Sequence, residues 1–344
     1  MAALKIGLIG CGKIAECNHI PSVLSLGKKA RIVAMYDIVR GKAQALAEKM
    51  KLDPAPVFCK SQKELLAMDL DAVIIATPNS CHHPQTIAAL EAGKHVLVEK
   101  PMSTTTAEAD EMIDLAEKKG LVLQVNQSWR YMAPYMMMQD MIANKGIIGK
   151  PLHARCLRTT DDSPDQIWSP GADWFVQKKY HGSLIGDIAV HMADLLQWFF
   201  GPVKSVQAQN TNLKHEVVDN TVSLFRFENG ATGTVELSWT FPHWDSDLAF
   251  YGDKGSVKVV GQTFVVRLKG AKKEKVIPFS KAKKQKISHA VFLDAIKAGG
   301  KTENWQIGRK AIALCCAMVE SGKSGQAAKP AYRKCKCKSN CKSK

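Results

Sequence analysis

Four groups of residues have types and spacing that suit chemistry. Gly10-Cys-Gly12-Lys13-Ile14-Ala15 follows an apolar run and opens a helical pattern. In that context the first glycine permits a tight turn and the second lets the backbone approach a pyrophosphate. Ala15 then stands where helix and strand pack closely, and the helix start offers free N–H groups to the anion. The next apolar run ends at Tyr36-Asp37, which puts a carboxylate where it can bond a ribose 2′-hydroxyl and repel a 2′-phosphate. The expected cofactor is therefore NAD, with NADP the second option because Arg40 lies close by. Thr77-Pro78-Asn79 and Glu99-Lys100-Pro101 end two later runs, and Pro101 keeps Lys100 out of helical geometry. Asp187 and His191 are four apart on a helical pattern, with Asp194 three residues beyond. A histidine with an ordinary pKa of about 6.5 suits a general base, and either Asp187 or Asp194 is placed to orient it.

These groups need elements to hold them. Apolar runs at 4–9, 31–36, 72–76, 95–98 and 121–125 alternate with helical stretches near 13–26, 41–50, 61–67, 84–92 and 104–118. Strands alternating with helices of this length predict βαβ units and a parallel sheet. Carboxyl ends of such strands are where open α/β sheets bind ligands. After about residue 150 the pattern changes. A strand at 153–158, a loop rich in Asp, Pro and Trp at 161–180 and a helix at 184–200 come first. Period-2 runs follow at 203–209, 221–227, 231–240, 248–251, 257–260 and 264–268. Asn229-Gly230 between two of them is a hairpin signal. A largely antiparallel sheet is expected, closed by helices near 288–298 and 304–320.

Composition narrows the class. The chain has 344 residues, 48 Lys or Arg against 32 Asp or Glu, a net charge of +16 and 46% apolar residues. That is ample for real cores and excludes a disordered chain or a disulfide-stapled miniprotein. No apolar stretch reaches the roughly 20 residues a membrane span needs. The glycine motif begins so near residue 1 that no cleavable signal is expected, and the ten cysteines lack framework spacing. A cytoplasmic protein with reduced thiols is the expectation. Sixteen Lys/Arg face only Asp294, Glu303 and Glu320 within 281–344. A solvated helix face and a free tail explain this better than nucleic-acid binding. Cys335, Cys337 and Cys341 lack a fourth ligand for zinc, so no metal is expected. The domains expected are 1–125, 126–330 and a Lys/Cys-rich tail, 331–344.

Taken in order, Gly10-x-Gly12-x-x-Ala15, Ala76-Thr77-Pro78-Asn79, Glu99-Lys100-Pro101 and Asp187-x-x-x-His191 resemble the glucose–fructose oxidoreductase / inositol dehydrogenase / MocA (Gfo/Idh/MocA) family, over nearly the whole chain to about residue 320. The resemblance implies an N-terminal Rossmann domain and a C-terminal α/β domain with a large, mostly antiparallel, open-faced sheet. It implies NAD(P)-dependent oxidation or reduction of a sugar, cyclitol or sugar derivative. Lys100 would bond the reacting hydroxyl, His191 remove its proton, and Asp187 hold substrate. Asp37 would hold the adenosine ribose; Thr77, Asn79 and Glu99 would line the nicotinamide half, with Lys13, Ile14, Pro78, His82 and Asn126 completing the cofactor set. Arg130 and Tyr131 are expected to face the substrate, in a segment unlike the family's usual Asn-Arg-Arg-Phe. Trp168 and Trp174 suit either stacking on a sugar or core packing. Where the family has Trp-Arg this chain has Trp174-Phe175, and Lys178 or Lys179 is expected to substitute for the missing arginine. Rival readings are a glycosidase acting through transient oxidation with retained NAD, and a dinucleotide-binding sensor. The apolar face of the open sheet is expected to pair with a second copy, as a homodimer or homotetramer.

Overall fold

The computed structural model describes residues 3–283, 285–299 and 304–333. Its first sheet is built from β1 (Leu4–Ile9), β2 (Ala30–Tyr36), β3 (Val57–Phe58), β4 (Ala72–Ile75), β5 (His95–Glu99) and β6 (Leu123–Asn126). The order is β3-β2-β1-β4-β5-β6, and every pair is parallel. All four residues of β4 are buried, as a strand covered on both faces must be. Chain order reverses between β1 and β4, so the loops leaving these two strands diverge and leave a crevice at their carboxyl ends. The helix Thr106–Lys119 shows how locally its ends are encoded. Thr105 and Glu108 form a capping box, and Gly120 takes the left-handed position that ends it.

The second sheet contains β7 (Pro151–Thr159), β8 (Val203–Thr211), β9 (Asn220–Phe227), β10 (Thr232–Ser238), β11 (Asp245–Gly252), β12 (Gly255–Val260), β13 (Thr263–Leu268) and β14 (Lys275–Pro278). Its order is β14-β13-β12-β11-β7-β10-β9-β8. All pairs are antiparallel except the central β7–β10 pair. Asn229-Gly230 does connect β9 to β10. The fold is thus α/β, a Rossmann-type parallel sheet joined to a mostly antiparallel one.

Two expectations about the second sheet need correction. Its apolar face, carrying Ala154, Cys156, Phe225, Phe227, Val235, Leu237 and Phe250, is buried under this chain's own helices. The face left open is mixed. It exposes Val222, Leu224, Tyr251 and Val276, and interleaves them with an ion ladder in which Arg155 and Lys258 each lie 3.4 Å from Asp247. Second, the helix Ser288–Lys297 does not close this sheet. Phe292 and Leu293 pack into the core of the first sheet, and Gln124 of β6 donates to the Ser288 carbonyl at 2.9 Å.

The long helix Asn304–Ser324 joins the two halves. It packs on β6 and Thr106–Lys119 from one half and on β8 and Val190–Phe200 from the other. Buried Arg309 on this helix makes two 2.9 Å bonds to the Asp110 carboxylate. Tyr332 and Arg333, assigned above to a free tail, are docked. The Tyr332 hydroxyl accepts from the Val203 amide at 3.0 Å, and Arg333 pairs with Asp110 and Asp114. The cysteines at 335, 337 and 341 lie outside the described residues.

Candidate active site

The carboxyl ends of β1, β2, β4 and β5 open into a cavity of about 1030 Å³. Its opposite wall comes from the second half of the chain: the end of β7, the loop at 160–184, the end of β10 and the helical segment carrying Asp187 and His191.

Backbone shapes the dinucleotide half. The Gly10 amide donates to the Tyr36 carbonyl at 2.9 Å, and its φ of +91° with the Ala76 carbonyl beside it leaves no room for a Cβ. Gly12 differs, since nothing lies within 4 Å of where its Cβ would stand. The wall there is bare backbone facing the cavity, as close approach of a pyrophosphate requires. Lys13 and Ile14 line the same wall. The Asp37 carboxylate, at the end of β2, accepts from the Cys11 amide at 2.8 Å and the Val39 amide at 2.9 Å, with Lys42 Nζ 3.7 Å away. These bonds pin a carboxylate at the cavity edge. The residues present therefore fit a dinucleotide with free ribose hydroxyls.

The chemical half centres on Lys100. Its Nζ donates to Asp187 Oδ1 at 2.6 Å and to the Asp187 carbonyl at 3.1 Å, so an ion pair crosses from β5 to the second half. His191 is buried and its Nδ1 has no hydrogen-bond partner among the described residues. Its ring stacks on Trp129, centroids 4.5 Å apart and planes within 5°. Burial pushes the imidazole well below its ordinary pKa, and the charges of Lys100 and Arg158 push the same way. The ring is thus neutral near pH 7 and free to take a proton. Asp187 and His191 were expected as α-helical neighbours. Ile185–Ala189 is instead a π turn leading into Val190–Phe200, which relaxes the i,i+4 alignment and lets Asp187 serve Lys100. Asp194 does not orient His191 either, because it is bonded to Arg130 Nε at 2.7 Å. Burial raises the Asp194 pKa while Arg130 opposes the rise.

Behind Lys100 lies a buried polar chain. Asn126 Nδ2 donates to Glu99 Oε1 at 2.6 Å, His19 Nε2 lies 3.0 Å from the same oxygen, and His19 Nδ1 meets His289 Nε2 at 2.9 Å. Burial alone would raise the Glu99 pKa, but His19 and Asn126 outweigh it and hold the carboxyl low. Glu99 thus faces the cavity as an anion.

Of the residues proposed from sequence, Gly10, Gly12, Lys13, Ile14, Asp37, Thr77, Pro78, Glu99, Lys100, Trp174, Asp187 and His191 line this cavity. Five do not, and their expected roles change. Asn79 turns away to the His181 carbonyl at 3.1 Å. His82 ties together the loops after β4 and β5, through the Thr77 and Pro101 carbonyls at 2.8 and 2.7 Å. Asn126 acts on Glu99. Arg130 is consumed by Asp194, and Tyr131 is largely buried away from the cavity, beside Ser288. Nor do Lys178 and Lys179 reach the cavity; Lys179 Nζ sits 4.9 Å over the Tyr180 ring. Trp129, Arg158, Thr160, Asp162 and Trp244 line the site without having been singled out. A signal existed for Arg158. It shares the strand parity of buried Ala154 and Cys156, so a charge was being aimed at a covered face.

Comparison with known proteins gives a consistent picture. Residues 4–127 match the family model described as an oxidoreductase family with an NAD-binding Rossmann fold, and residues 135–258 match the GFO/IDH/MocA C-terminal domain. The chain is 30% identical to the 1,5-anhydro-D-fructose reductase of Ensifer adhaerens, covering 94% of this chain and 97% of that one. It is 31% identical to the D-glucoside 3-dehydrogenase of Escherichia coli K12, over 73% of this chain and 75% of the other. Levoglucosan dehydrogenase, solved with NADH and L-sorbose, superposes with a TM-score of 0.83 at 23% identity, covering 97% of this chain and 100% of that one.

Proposed function

The chain belongs to the Gfo/Idh/MocA oxidoreductase family, and from that premise we propose that it is an NAD-dependent dehydrogenase acting on a secondary alcohol of a sugar, cyclitol or sugar derivative. One observation carries the reading: the Lys100–Asp187 pair and a neutral His191 share a cavity with the Gly10–Gly12 turn and Asp37. Bound against that turn, NAD supplies the acceptor for the hydride leaving the alcohol carbon. Every other part falls to the chain. An alcohol gives up hydride readily only once its O–H proton leaves. His191 takes that proton on its ring. Lys100 donates to the alcohol oxygen and steadies the charge growing there. Asp187 holds the Lys100 ammonium in place and accepts from a neighbouring substrate hydroxyl. Four of the seven tryptophans, Trp129, Trp168, Trp174 and Trp244, line the cavity with more than a buried edge, the kind of wall on which a sugar ring stacks. Asp37 supports NAD over NADP, since a 2′-phosphate beside it would be repelled.

The wider reading is of a cytoplasmic protein that acts on a small-molecule sugar or polyol and assembles as a homodimer or homotetramer through the open face of its second sheet. No described helix is long and apolar enough to cross a membrane. Incubating the purified protein with NAD and a panel of polyols, free sugars, glycosides and nucleotide sugars while following NADH absorbance tests the activity. NADH formation with one class of alcohol supports the proposal. Glycoside cleavage without NADH, or no change with any member despite NAD binding, counts against it.

A further inference from the structure

Four cations line the cavity: Lys13, Lys42, Lys100 and Arg158. Three of them face a carboxylate of this chain. Lys13 lies 3.7 Å from Glu16, Lys42 lies 3.7 Å from Asp37, and Lys100 lies 2.6 Å from Asp187. Arg158, among the described residues, has no carboxylate within 4 Å, and its buried Nε lacks any hydrogen-bond partner. A half-buried guanidinium in that condition is costly unless something pairs with it.

Its surroundings hold it in readiness for a partner. The guanidinium carbon lies 4.5 Å from the Trp244 ring and 5.4 Å from the Trp129 ring. Both rings lie within cation–π range of the guanidinium, whose planar donor fork suits a carboxylate or phosphate. Trp129 is also the ring that stacks on His191, so Arg158 and the expected base contact the same side chain. Of the acids in the cavity, Asp187 is held by Lys100 and acts on Arg158 only through its charge. Asp162 pairs with Lys214 at 3.2 Å, and Asp173 accepts from the Gln177 amide.

We propose that the natural substrate is an anionic sugar, carrying a carboxylate or a phosphate that docks on Arg158 while its reacting hydroxyl lies between Lys100 and His191. The inference rests on the dehydrogenase reading and makes it narrower. Neutralising Arg158 in this way also removes one of the charges that hold the His191 imidazole low, so the anion that anchors the substrate makes the base a better proton acceptor.

The test compares matched substrates in the NAD-loaded enzyme: glucose against glucuronate and galacturonate for the carboxylate, and glucose against glucose 6-phosphate and fructose against fructose 6-phosphate for the phosphate. One acidic series is expected to exceed its neutral parent at least tenfold in kcat/KM, and which series does so separates carboxylate from phosphate. Arg158→Gln should bring that ratio close to one, and Arg158→Lys, which keeps the charge without the fork, should retain part of it. Tryptophan emission gives a second readout free of turnover. The preferred acid titrated into the NADH-loaded protein should change the Trp129 and Trp244 signal, with affinity at least tenfold weaker in Arg158→Gln. Neutral sugars used as well as their acids, or a variant that loses both equally, would overturn the anion site while leaving the dehydrogenase intact. Absence of NADH from every sugar and cyclitol tried would instead remove the reading beneath it.

Discussion

In the proposed reaction Lys100 and His191 would meet the same alcohol oxygen from two halves of the chain, one as a donor and the other as a neutral acceptor. Lys100 is fixed by its 2.6 Å bond to Asp187, whereas the His191 Nδ1 is left unbonded among the described residues. Loss of either group should therefore act on the chemical step rather than on the cofactor. Lys100→Met and His191→Ala are each expected to lower kcat by roughly 10²–10⁴-fold, with the affinity for NADH, read by tryptophan quenching, changed only a few-fold. Comparable loss of NADH binding in both would contradict these roles. The depressed pKa of His191 makes a second prediction at this scale. Burial, Lys100 and Arg158 disfavour its protonated form, so the imidazole stays neutral well below the usual histidine range. The kcat/KM for a neutral sugar should then stay level as pH falls from 7 through 6.5, with its acid limb appearing only further down. An inflection centred near 6.5, absent from His191→Ala, would show that the imidazole titrates normally.

At the level of elements, two glycines two residues apart do different jobs, and substitution separates them. A Cβ on Gly10 would press on the Ala76 carbonyl at a φ of +91°, so Gly10→Ala should cost several degrees of Tm and weaken NAD binding as a consequence. A Cβ on Gly12 meets only open cavity. Gly12→Val is expected to keep its melting temperature within a degree or two while NAD affinity falls at least tenfold, measured by thermal unfolding and NADH titration on the same samples. This first turn was legible in the sequence because glycine spacing, strand context and Asp37 are local signals. The same holds for β1, β2, β4, β5 and β6, which are short runs rich in Val, Ile and Leu, unbroken in β4. Edge strands were not legible. Val57–Phe58 is two exposed residues, and Lys275–Pro278 carries a lysine and a proline that blunt a sheet edge. Nor was Trp129; strand parity marked Arg158 as facing inward, but the place of both in the site depends on how β7 and the segment after β6 meet across the cavity. Arg130 was misread for the same reason. Its spacing gave no hint that Asp194, 64 residues on, would hold it at 2.7 Å.

For the whole molecule, the question is which surface remains to be covered. The helix Asn304–Ser324 closes the inner side: Arg309 clamps it to Asp110 in the first half, and its apolar face seals β8 in the second. Among the described residues, the outer face of the second sheet has no such cover. Val222 and Leu224 on β9 are 53% and 57% exposed, and Tyr251, Val260 and Val276 extend the apolar surface across the sheet. Arg155, Asp247 and Lys258 satisfy one another within that face, so burying it would leave few charges stranded. Apolar patches rimmed by paired polar groups are characteristic of interfaces between copies, and a flat sheet face is readily made self-complementary about a twofold axis. Val222→Lys with Leu224→Lys places two like charges where the copies would meet. Both side chains point away from the protomer's own core, so the folded protomer should survive. Sedimentation at micromolar concentration is expected to show the native chain at a multiple of its protomer mass and the double variant at a smaller species, with circular dichroism unchanged. A native chain that sediments as a monomer would exclude assembly through any face, and a double variant of undiminished mass would move the interface off this sheet.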